Sequence, residues 1–290
     1  MNANYCRATI NNMVVISAVE MKNVANKAVR LHNLSPVAAE ALSRTLAVAG
    51  LMGKQLKNAD DYMSITVNGG GPLGSITVCS NAKGEVKGTV DNPTVENAFT
   101  DEGTISVANA VGTKGKITVV KDIGLKQPFV GTTELVSGEI AQDFANYFVV
   151  SEQQPCALTI GFTWKKGKCV AGGAVLVQVL PGCDPKLLFD IETTLYAMDQ
   201  MSYQFTNSTA RQVIERFFAC YNGLTVTEES FVNYKCDCST PRMKRLIKSL
   251  GRTEANEIVA EQGKIQICCH FCNKVYEFDQ AGVDKIFDCK

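Results

Sequence analysis

Four cysteines near the end of the chain lie in two close pairs, Cys236-Asp237-Cys238 and Cys269-His270-Phe271-Cys272. Four thiolates can bind one tetrahedral zinc ion, with each sulfur about 2.3 Å from the metal. Thirty residues separate the two pairs, which is enough chain for a small folded module. The spacing therefore predicts one zinc site per chain, with Cys236, Cys238, Cys269 and Cys272 as its ligands.

The first pair has a single intervening residue, whereas the second pair has the usual zinc-knuckle spacing. Both spacings suit metal binding, but thiols one residue apart can close only a small, strained disulfide ring. Strained disulfides belong to the labile, regulatory kind. The spacing thus favours the hypothesis of a zinc site that is lost on oxidation. A static structural zinc ribbon accounts for the same cysteines equally well.

Two neighbours of the four cysteines are alternative ligands. Cys268 adjoins Cys269, and His270 lies inside the second pair. The spacing to Cys272 favours Cys269 over Cys268, and His270 is the less favoured nitrogen donor. Because His32 and His270 are the only two histidines, a Ser-His-Asp or Cys-His catalytic site is hard to build, and we expect no enzymatic activity.

The composition gives no sign of a strongly charged partner. The 290 residues include 29 basic and 29 acidic side chains, so electrostatics does not predict binding to nucleic acid or to an anionic membrane. The start of the chain lacks the basic and apolar regions of a secretory signal. No apolar run reaches the roughly 18 residues of a transmembrane helix. We therefore expect a cytoplasmic protein without nucleic-acid or membrane partners.

The other cysteines are scattered. The total of twelve is too dilute in a chain of this length for a disulfide scaffold. We expect ordinary core or surface positions for Cys6, Cys79, Cys156, Cys169, Cys183, Cys220 and Cys289. In a reducing cytosol, clustered thiols indicate metal binding or redox chemistry and not a disulfide scaffold.

Residues 1–180 carry the pattern of an α+β domain rich in antiparallel sheet with packed helices. Ser35-Pro36 starts a long, alanine-rich helix that ends near Lys57, and a second helix covers Glu139 to Val149. Strand patterns cover residues 62–67, 75–78, 85–90, 115–120, 131–136, 157–162 and 170–180.

A glycine-rich loop within this domain has the spacing of a dinucleotide-binding loop. Its glycines are Gly69, Gly71 and Gly74. A loop of that kind must open a helix, but Pro72 lies inside this loop and an alternating β pattern follows it. We therefore predict a hairpin and no nucleotide site.

Two further segments follow the boundary at Pro181-Gly182. Residues 181–233 read as a helical linker, whose large apolar residues must dock on another surface to stay out of water. Residues 234–290 read as the zinc-binding redox-switch module. Its predicted helices cover about 240–250 and 253–262, and its predicted strands cover about 264–267 and 274–278.

The predicted module is too small for hydrophobic burial alone to make its folded state stable. In small zinc modules the metal contributes about 10–16 kcal/mol of apparent binding free energy, and binding is coupled to folding. An oxidant that converts the four thiolates to two disulfides removes the ligands. We expect the module then to unfold and to expose apolar side chains such as Leu246, Leu250 and Ile265. The same event can release the linker.

The sequence resembles the redox-regulated heat-shock chaperone family, the 33 kDa chaperonins, over essentially its whole length. The resemblance rests first on the two cysteine pairs with their long separation. Further matching motifs are Gly71–Gly74, Lys121–Asp122, Gln127–Gly131, Leu135–Ala141, Tyr147–Gln153 and Ala171–Gly173.

This resemblance implies a bacterial, cytoplasmic, ATP-independent holdase, which binds unfolded client proteins and prevents their aggregation during oxidative stress. The reduced, zinc-bound form is expected to be inactive. Oxidation is expected to form the disulfides Cys236–Cys238 and Cys269–Cys272, to release zinc, to unfold the linker and to yield an active homodimer. Cys268 departs from the family pattern and leaves room for an alternative second disulfide.

Two other hypotheses make different predictions. A static zinc-ribbon protein that binds nucleic acid or a protein partner would do so whatever its oxidation state. A thiol-disulfide oxidoreductase would turn over disulfide substrates, but the Cys269-x-x-Cys272 pair precedes a strand and lacks the strand–Cys-x-x-Cys–helix context of thioredoxins.

Overall fold

The computed structural model describes residues 3–96, 105–196, 198 and 201–288, so Cys289 lies outside the described residues. The chain divides into two compact units, Met1–Lys235 and Cys236–Lys290, called here the N-terminal unit and the C-terminal unit. Both units combine helices with antiparallel strands, which confirms the predicted α+β fold class. Within the described ranges, none of the helices has the length and apolar character needed to cross a bilayer.

The N-terminal unit starts with two strands and two helices and continues mostly as sheet. In chain order its first elements are β1 (Tyr5–Ile10), β2 (Val14–Glu20), α1 (Lys22–His32), α2 (Pro36–Gly53), β3 (Tyr62–Asn68), β4 (Ile76–Asn81), β5 (Glu85–Val90) and α3 (Val107–Val111). They are followed by β6 (Lys116–Asp122), β7 (Phe129–Glu134), α4 (Ala141–Val150), β8 (Cys156–Lys165) and β9 (Lys168–Val179).

Helix α2 lies at the centre of the main apolar core. Nearly all of its residues are buried, because its many alanines let the helix contact its neighbours closely on every side. The core around it contains residues from β3 to β6 and from α4. The helix ends at Gly53 and not at the predicted Lys57, because the chain then tightens into turns in which Gln55 N donates to Met52 O and Leu56 N donates to Gly53 O.

The strands of this unit form two sheets. The six-stranded sheet has the order β11-β5-β4-β3-β6-β7, and the five-stranded sheet has the order β10-β1-β2-β9-β8. All described pairings are antiparallel except that of β11 with β5. The predicted richness in antiparallel sheet is thus confirmed.

The glycine-rich loop joins β3 to β4 as a hairpin, as predicted. Its backbone groups are bonded to a neighbouring chain segment, because the N–H of Gly71 donates to Val111 O at 2.9 Å and the carbonyl of Gly69 accepts from Lys114 N at 3.0 Å. A Cβ atom on Gly69 would lie 2.1 Å from the carbonyl oxygen of Gly112. Close backbone approach, and not phosphate binding, therefore explains the glycines.

The segment 181–233 packs within the N-terminal unit and is not wholly helical. It forms α5 (Pro185–Tyr196), α6 (Met201–Gln204), α7 (Ala210–Phe218), β10 (Leu224–Ser230) and the first residue of β11 (Asn233–Tyr234). Side chains of α7 such as Val213 and Phe218 form a second apolar core against β1, β2 and β9. Strand β10 pairs with β1, a partner more than 200 residues away that local patterns do not reveal.

Strand β11, just before the first cysteine pair, is anchored by Tyr234. The Tyr234 hydroxyl donates to Gly88 O at 2.9 Å and lies 3.2 Å from His32 Nε2. The ammonium of Lys27 donates to the carbonyl oxygen of Tyr234 at 2.9 Å. Ion pairing of Lys235 with Glu85 adds a surface contact to the same strand.

The C-terminal unit consists of α8 (Thr240–Leu250), α9 (Arg252–Gln262), β12 (Ile265–Cys268), β13 (Val275–Phe278) and α10 (Gln280–Asp288). Its two predicted helices end at Gly251 and Gly263, as their sequences indicate. Helix α10 was not predicted. Its Val283 and Ile286 complete a small apolar core together with Ile247 of α8.

Candidate metal centre

The second cysteine pair lies in a tight turn between β12 and β13. The N–H of Cys269 donates to Lys274 O at 3.0 Å, and the N–H groups of Cys272 and Asn273 donate to Cys269 O at 3.2 and 2.8 Å. Asn273 has a positive φ of 56°, a conformation that asparagine tolerates better than most residues. These bonds curl the backbone so that the side chains of Cys269 and Cys272 come together.

The first cysteine pair lies at the start of the C-terminal unit, immediately before α8. Ser239 occupies the N-cap position of α8, and Pro241 lies in its first turn. Between the two cysteines, Asp237 forms an exposed ion pair of 3.0 Å with Arg242 of the same helix. This ion pair links the residue between the two cysteines to the helix that follows them.

The four sulfur atoms converge on one point. Cys236 Sγ lies 3.6 Å from Cys269 Sγ, and Cys238 Sγ lies 3.4 Å from Cys272 Sγ. All four sulfurs lie within 4.8 Å of one another, and all four residues are half-buried. A group of this kind can hold a metal ion.

The two alternative ligands are not part of this cluster. Cys268 ends β12 opposite Val275 and is exposed, and His270 is also exposed. Among the described residues, the only group of cysteine, histidine and carboxylate side chains close enough to share an ion is the set of four cysteines. The remaining described cysteines form no disulfide; they are Cys6, Cys79, Cys156, Cys169, Cys183 and Cys220.

Tyr276 is a site residue that was not predicted. Its hydroxyl donates a hydrogen bond of 3.2 Å to Cys238 Sγ, while its ring is buried in the core of the unit. Lys274 Nζ lies 4.9 Å from the centre of the ring. The alternation of β13 places Tyr276 on the buried face beside Phe278, and this pattern was the one available signal.

The local environment gives the clustered thiols different pKa values. Burial raises the pKa of Cys236, and hydrogen bonds to Cys238 and Cys269 add to the effect. Burial also raises the pKa of Cys272. Burial acts in the same direction on Cys238, but hydrogen bonds from Tyr276 and the neighbouring thiols outweigh it and lower the pKa of Cys238 to about 7.

The donor set fits a tetrahedral, thiolate-binding metal. Four sulfurs placed 2.3 Å from a common centre would lie about 3.8 Å from one another, close to the two sulfur–sulfur distances in this cluster. Sulfur ligands select soft or borderline ions and disfavour magnesium and calcium, which prefer oxygen. An outer hydrogen bond such as that of Tyr276 is typical of metal sites, where it orients a ligand.

The chain is similar to known proteins over nearly its whole length. Residues 4–279 match the family model described as Hsp33 protein. A 33 kDa chaperonin of Desulforamulus reducens is 40% identical over 96% of this chain and 94% of the relative. Another, of Alkaliphilus metalliredigens, is 37% identical over 99% of each chain.

A solved structure is similar as well. It is the crystal structure of the 33 kDa chaperonin (Heat shock protein 33 homolog) from Thermotoga maritima, with a TM-score of 0.87, 31% sequence identity and coverage of 98% of each chain. The family match spans the sheets of the N-terminal unit and all four clustered cysteines. On the strength of this agreement in sequence, fold and extent, the chain belongs to the Hsp33 protein family.

Proposed function

We propose that the protein is a redox-regulated, ATP-independent chaperone, a holdase that binds unfolded proteins and prevents their aggregation under oxidative stress. The observation that carries this proposal is the cluster of four cysteine sulfurs within 4.8 Å in a separate small unit of a chain from the Hsp33 family. The name 33 kDa chaperonin, which the relatives bear, supports a chaperone and not an enzyme. In this proposal the protein acts in the bacterial cytoplasm.

Zinc is the proposed metal, with one ion per chain in the reduced state. Cys236, Cys238, Cys269 and Cys272 would hold it as thiolates. When bound, the ion would offset the mutual repulsion of four thiolates and tie the start of the C-terminal unit to the β12–β13 turn. The apolar core of this unit contains few large side chains, so the cross-link would supply much of its stability.

Oxidation is proposed to act directly on the four thiols. Each disulfide forms as one pair of thiols gives up two electrons and two protons to hydrogen peroxide, whose O–O bond breaks to yield two water molecules. The proposed products are Cys236–Cys238 and Cys269–Cys272. The two short sulfur–sulfur contacts, Cys236 with Cys269 and Cys238 with Cys272, run between the pairs, so this pairing requires the sulfurs to rearrange once the thiolates no longer share an ion.

Loss of the cross-link would unfold the C-terminal unit and create a client-binding surface. Leu246 and Leu250 of α8 are already half-exposed, at 50% and 42%, and unfolding would add the buried Ile247, Ile265 and Phe278. Exposed apolar area of this kind binds the apolar segments of unfolded proteins. We further propose that residues 181–233 act as a linker that undocks in the same transition and that the active form is a homodimer.

One observation favours a second candidate, a static zinc ribbon that binds nucleic acid or an acidic protein partner. The basic side chains of α8 are all exposed: Arg242, Lys244, Arg245 and Lys248. Only Arg242 among them has an ion-pair partner in the described part of the chain. Such a patch would bind polyanions with a strong salt dependence and without regard to oxidation.

The proposed switch is tested by measuring bound zinc and free thiols before and after treatment with peroxide. We expect the reduced protein to carry one zinc per chain, and peroxide to release that zinc while four thiols disappear. Peptide mapping should then find the Cys236–Cys238 and Cys269–Cys272 disulfides, and chromatography should find a dimer. An oxidised protein that keeps its zinc and its far-UV circular dichroism would contradict the switch and favour the static zinc ribbon.

A further inference from the structure

The N-terminal unit contains a cavity of about 560 Å³ against one face of the five-stranded sheet. Its floor is formed by neighbouring strands through Arg7 of β1, Val15 of β2 and Gln178 of β9, and its wall is formed by the residues that follow α2. The volume lies in the range of small-molecule sites, about 300–1,000 Å³. The metal centre uses none of these residues.

Two cations that line the cavity have no acceptor for their charged groups. In the described part of the chain, neither the guanidinium of Arg7 nor the ammonium of Lys57 forms a hydrogen bond or an ion pair. Arg7 is half-buried, and among the described residues none of its five guanidinium donors has a protein acceptor. A guanidinium in that position requires an acceptor from solvent or from a ligand.

The other two charged side chains that line the cavity, Lys54 and Glu228, form an ion pair with each other. Glu228 is the one acidic side chain among its lining residues, and it accepts from Lys54 at 2.7 Å and from Ser230 at 2.7 Å. Glu228 therefore has hydrogen-bond partners of its own, and it also interacts electrostatically with Arg7, which faces it across the β1–β10 pairing. After the Lys54–Glu228 pair is set aside, the lining keeps two positive charges, those of Arg7 and Lys57.

A row of amide side chains continues from these cations. Gln55 Nε2 donates to Gln178 Oε1 at 2.9 Å, and Gln178 Nε2 donates to Gln154 Oε1 at 2.9 Å. Gln178 is 3% exposed, so this row is firmly fixed. Gln154 at its end keeps both Nε2 hydrogens without an acceptor among the described residues. The row thus presents an oriented donor to the cavity.

We propose that this cavity binds a small phosphate-bearing molecule, with Arg7 and Lys57 on the phosphate and Gln154 as a further donor. The net excess of two positive charges on the lining matches a phosphate monoester, which carries about −1.5 to −2 at pH 7, better than a carboxylate with its single charge. The arginine fork suits bidentate binding of phosphate oxygens. The cavity is larger than a bare phosphate, so it has room for the organic part of such a molecule.

Calorimetric titration of the reduced, full-length protein tests the site, with inorganic phosphate, AMP and adenosine as probes at constant ionic strength. We expect phosphate and AMP to compete for one saturable site and adenosine not to bind. Tighter binding of AMP would assign the cavity to a nucleotide, and equal affinity would assign it to free phosphate. Absence of saturable binding of both anions up to about 10 mM would overturn the proposal.

Variants distinguish phosphate binding in the cavity from a general attraction of anions to basic side chains on the surface. Arg7→Gln should weaken phosphate binding about tenfold, since it removes a charge-assisted, two-point contact. Lys57→Gln should weaken it less and, because Lys57 is exposed, should leave the fold intact even if Arg7→Gln does not fold. Exposed residues outside the cavity supply the matched controls, Arg30→Gln and Lys83→Gln. Equal affinities in Lys57→Gln and in the controls would mean an adventitious ion only.

Discussion

The hydroxyl of Tyr276 donates a hydrogen bond to Cys238 Sγ across 3.2 Å, from a strand in the second half of the C-terminal unit to a cysteine at its start. The bond stabilises the thiolate form of Cys238, whose pKa falls to about 7 despite burial. It also orients one ligand of the candidate metal centre. The metal centre and the apolar core of this unit therefore share a residue.

Tyr276→Phe should weaken metal binding while preserving the core. The ring keeps its packing, but Cys238 loses the hydrogen bond that orients it. Loss of an outer-shell partner lowers metal affinity by about 10–100-fold, and we expect an effect in that range. Competition with a chromophoric chelator measures the affinity, and Tyr203→Phe, at a ring that is 68% exposed, is the control. An unchanged affinity would show that the hydroxyl does not act on the ligand.

Cys238→Ser and Cys268→Ser should have opposite outcomes. Cys238→Ser removes one of four converging sulfurs, and its cost in metal affinity should exceed the roughly 100-fold limit for an outer-shell change. Cys268→Ser should leave metal content, zinc release and disulfide pattern unchanged, because Cys268 is exposed and outside the cluster. Metal analysis after dialysis compares them. Loss of metal from Cys268→Ser would instead make Cys268 a ligand.

Metal binding should release protons and should weaken as the pH falls. The raised pKa values of Cys236 and Cys272 keep both thiols protonated near neutral pH in the metal-free protein, so binding must expel at least those two protons. Below pH 7 Cys238 also becomes protonated, because its pKa is about 7, and the affinity should then fall more steeply. Calorimetry in buffers of different ionisation enthalpy counts the protons. Affinity independent of pH between 6 and 8 would contradict this account.

The only tryptophan of the chain, Trp164 of β8, should report that oxidation spares the packing of β8 against α2 even as residues 181–233 undock. Its indole N–H donates to Glu40 Oε2 at 2.5 Å, and Glu40 also pairs with Arg44 at 2.7 Å. We expect peroxide to reduce the helical circular dichroism through the loss of α8, α9 and α10, while the emission of Trp164 stays constant. A red shift of the emission at the same peroxide dose would mean that the N-terminal unit unfolds too.

Local signals in the sequence predicted most elements but not their long-range partners. Ser35-Pro36 and the alanines identified α2, and the glycines at 251 and 263 identified the ends of α8 and α9. The pairing of β10 with β1 and of β11 with β5 joins residues far apart in the chain, and no short-range pattern encodes it. For this reason the local pattern of residues 181–233 predicts a helical segment, although part of it completes a sheet.

For the candidate site, too, local sequence signals predicted some residues, and tertiary contacts revealed the others. Spacing alone singled out Cys236, Cys238, Cys269 and Cys272, because close thiol pairs are rare outside metal and redox sites. Spacing left Cys268 and His270 open, and only the turn geometry separates them from the cluster. The contribution of Tyr276 depends on a tertiary contact over 38 residues, which the sequence pattern could not supply.

Light scattering shows whether oxidation switches on the proposed chaperone activity. A chemically unfolded client protein is diluted into buffer that contains either the reduced, zinc-loaded protein or the peroxide-treated protein. We expect only the peroxide-treated form to suppress aggregation, and we expect reduction in the presence of zinc to reverse the effect. Equal behaviour of the two forms would contradict the redox switch and leave the metal as a structural cross-link.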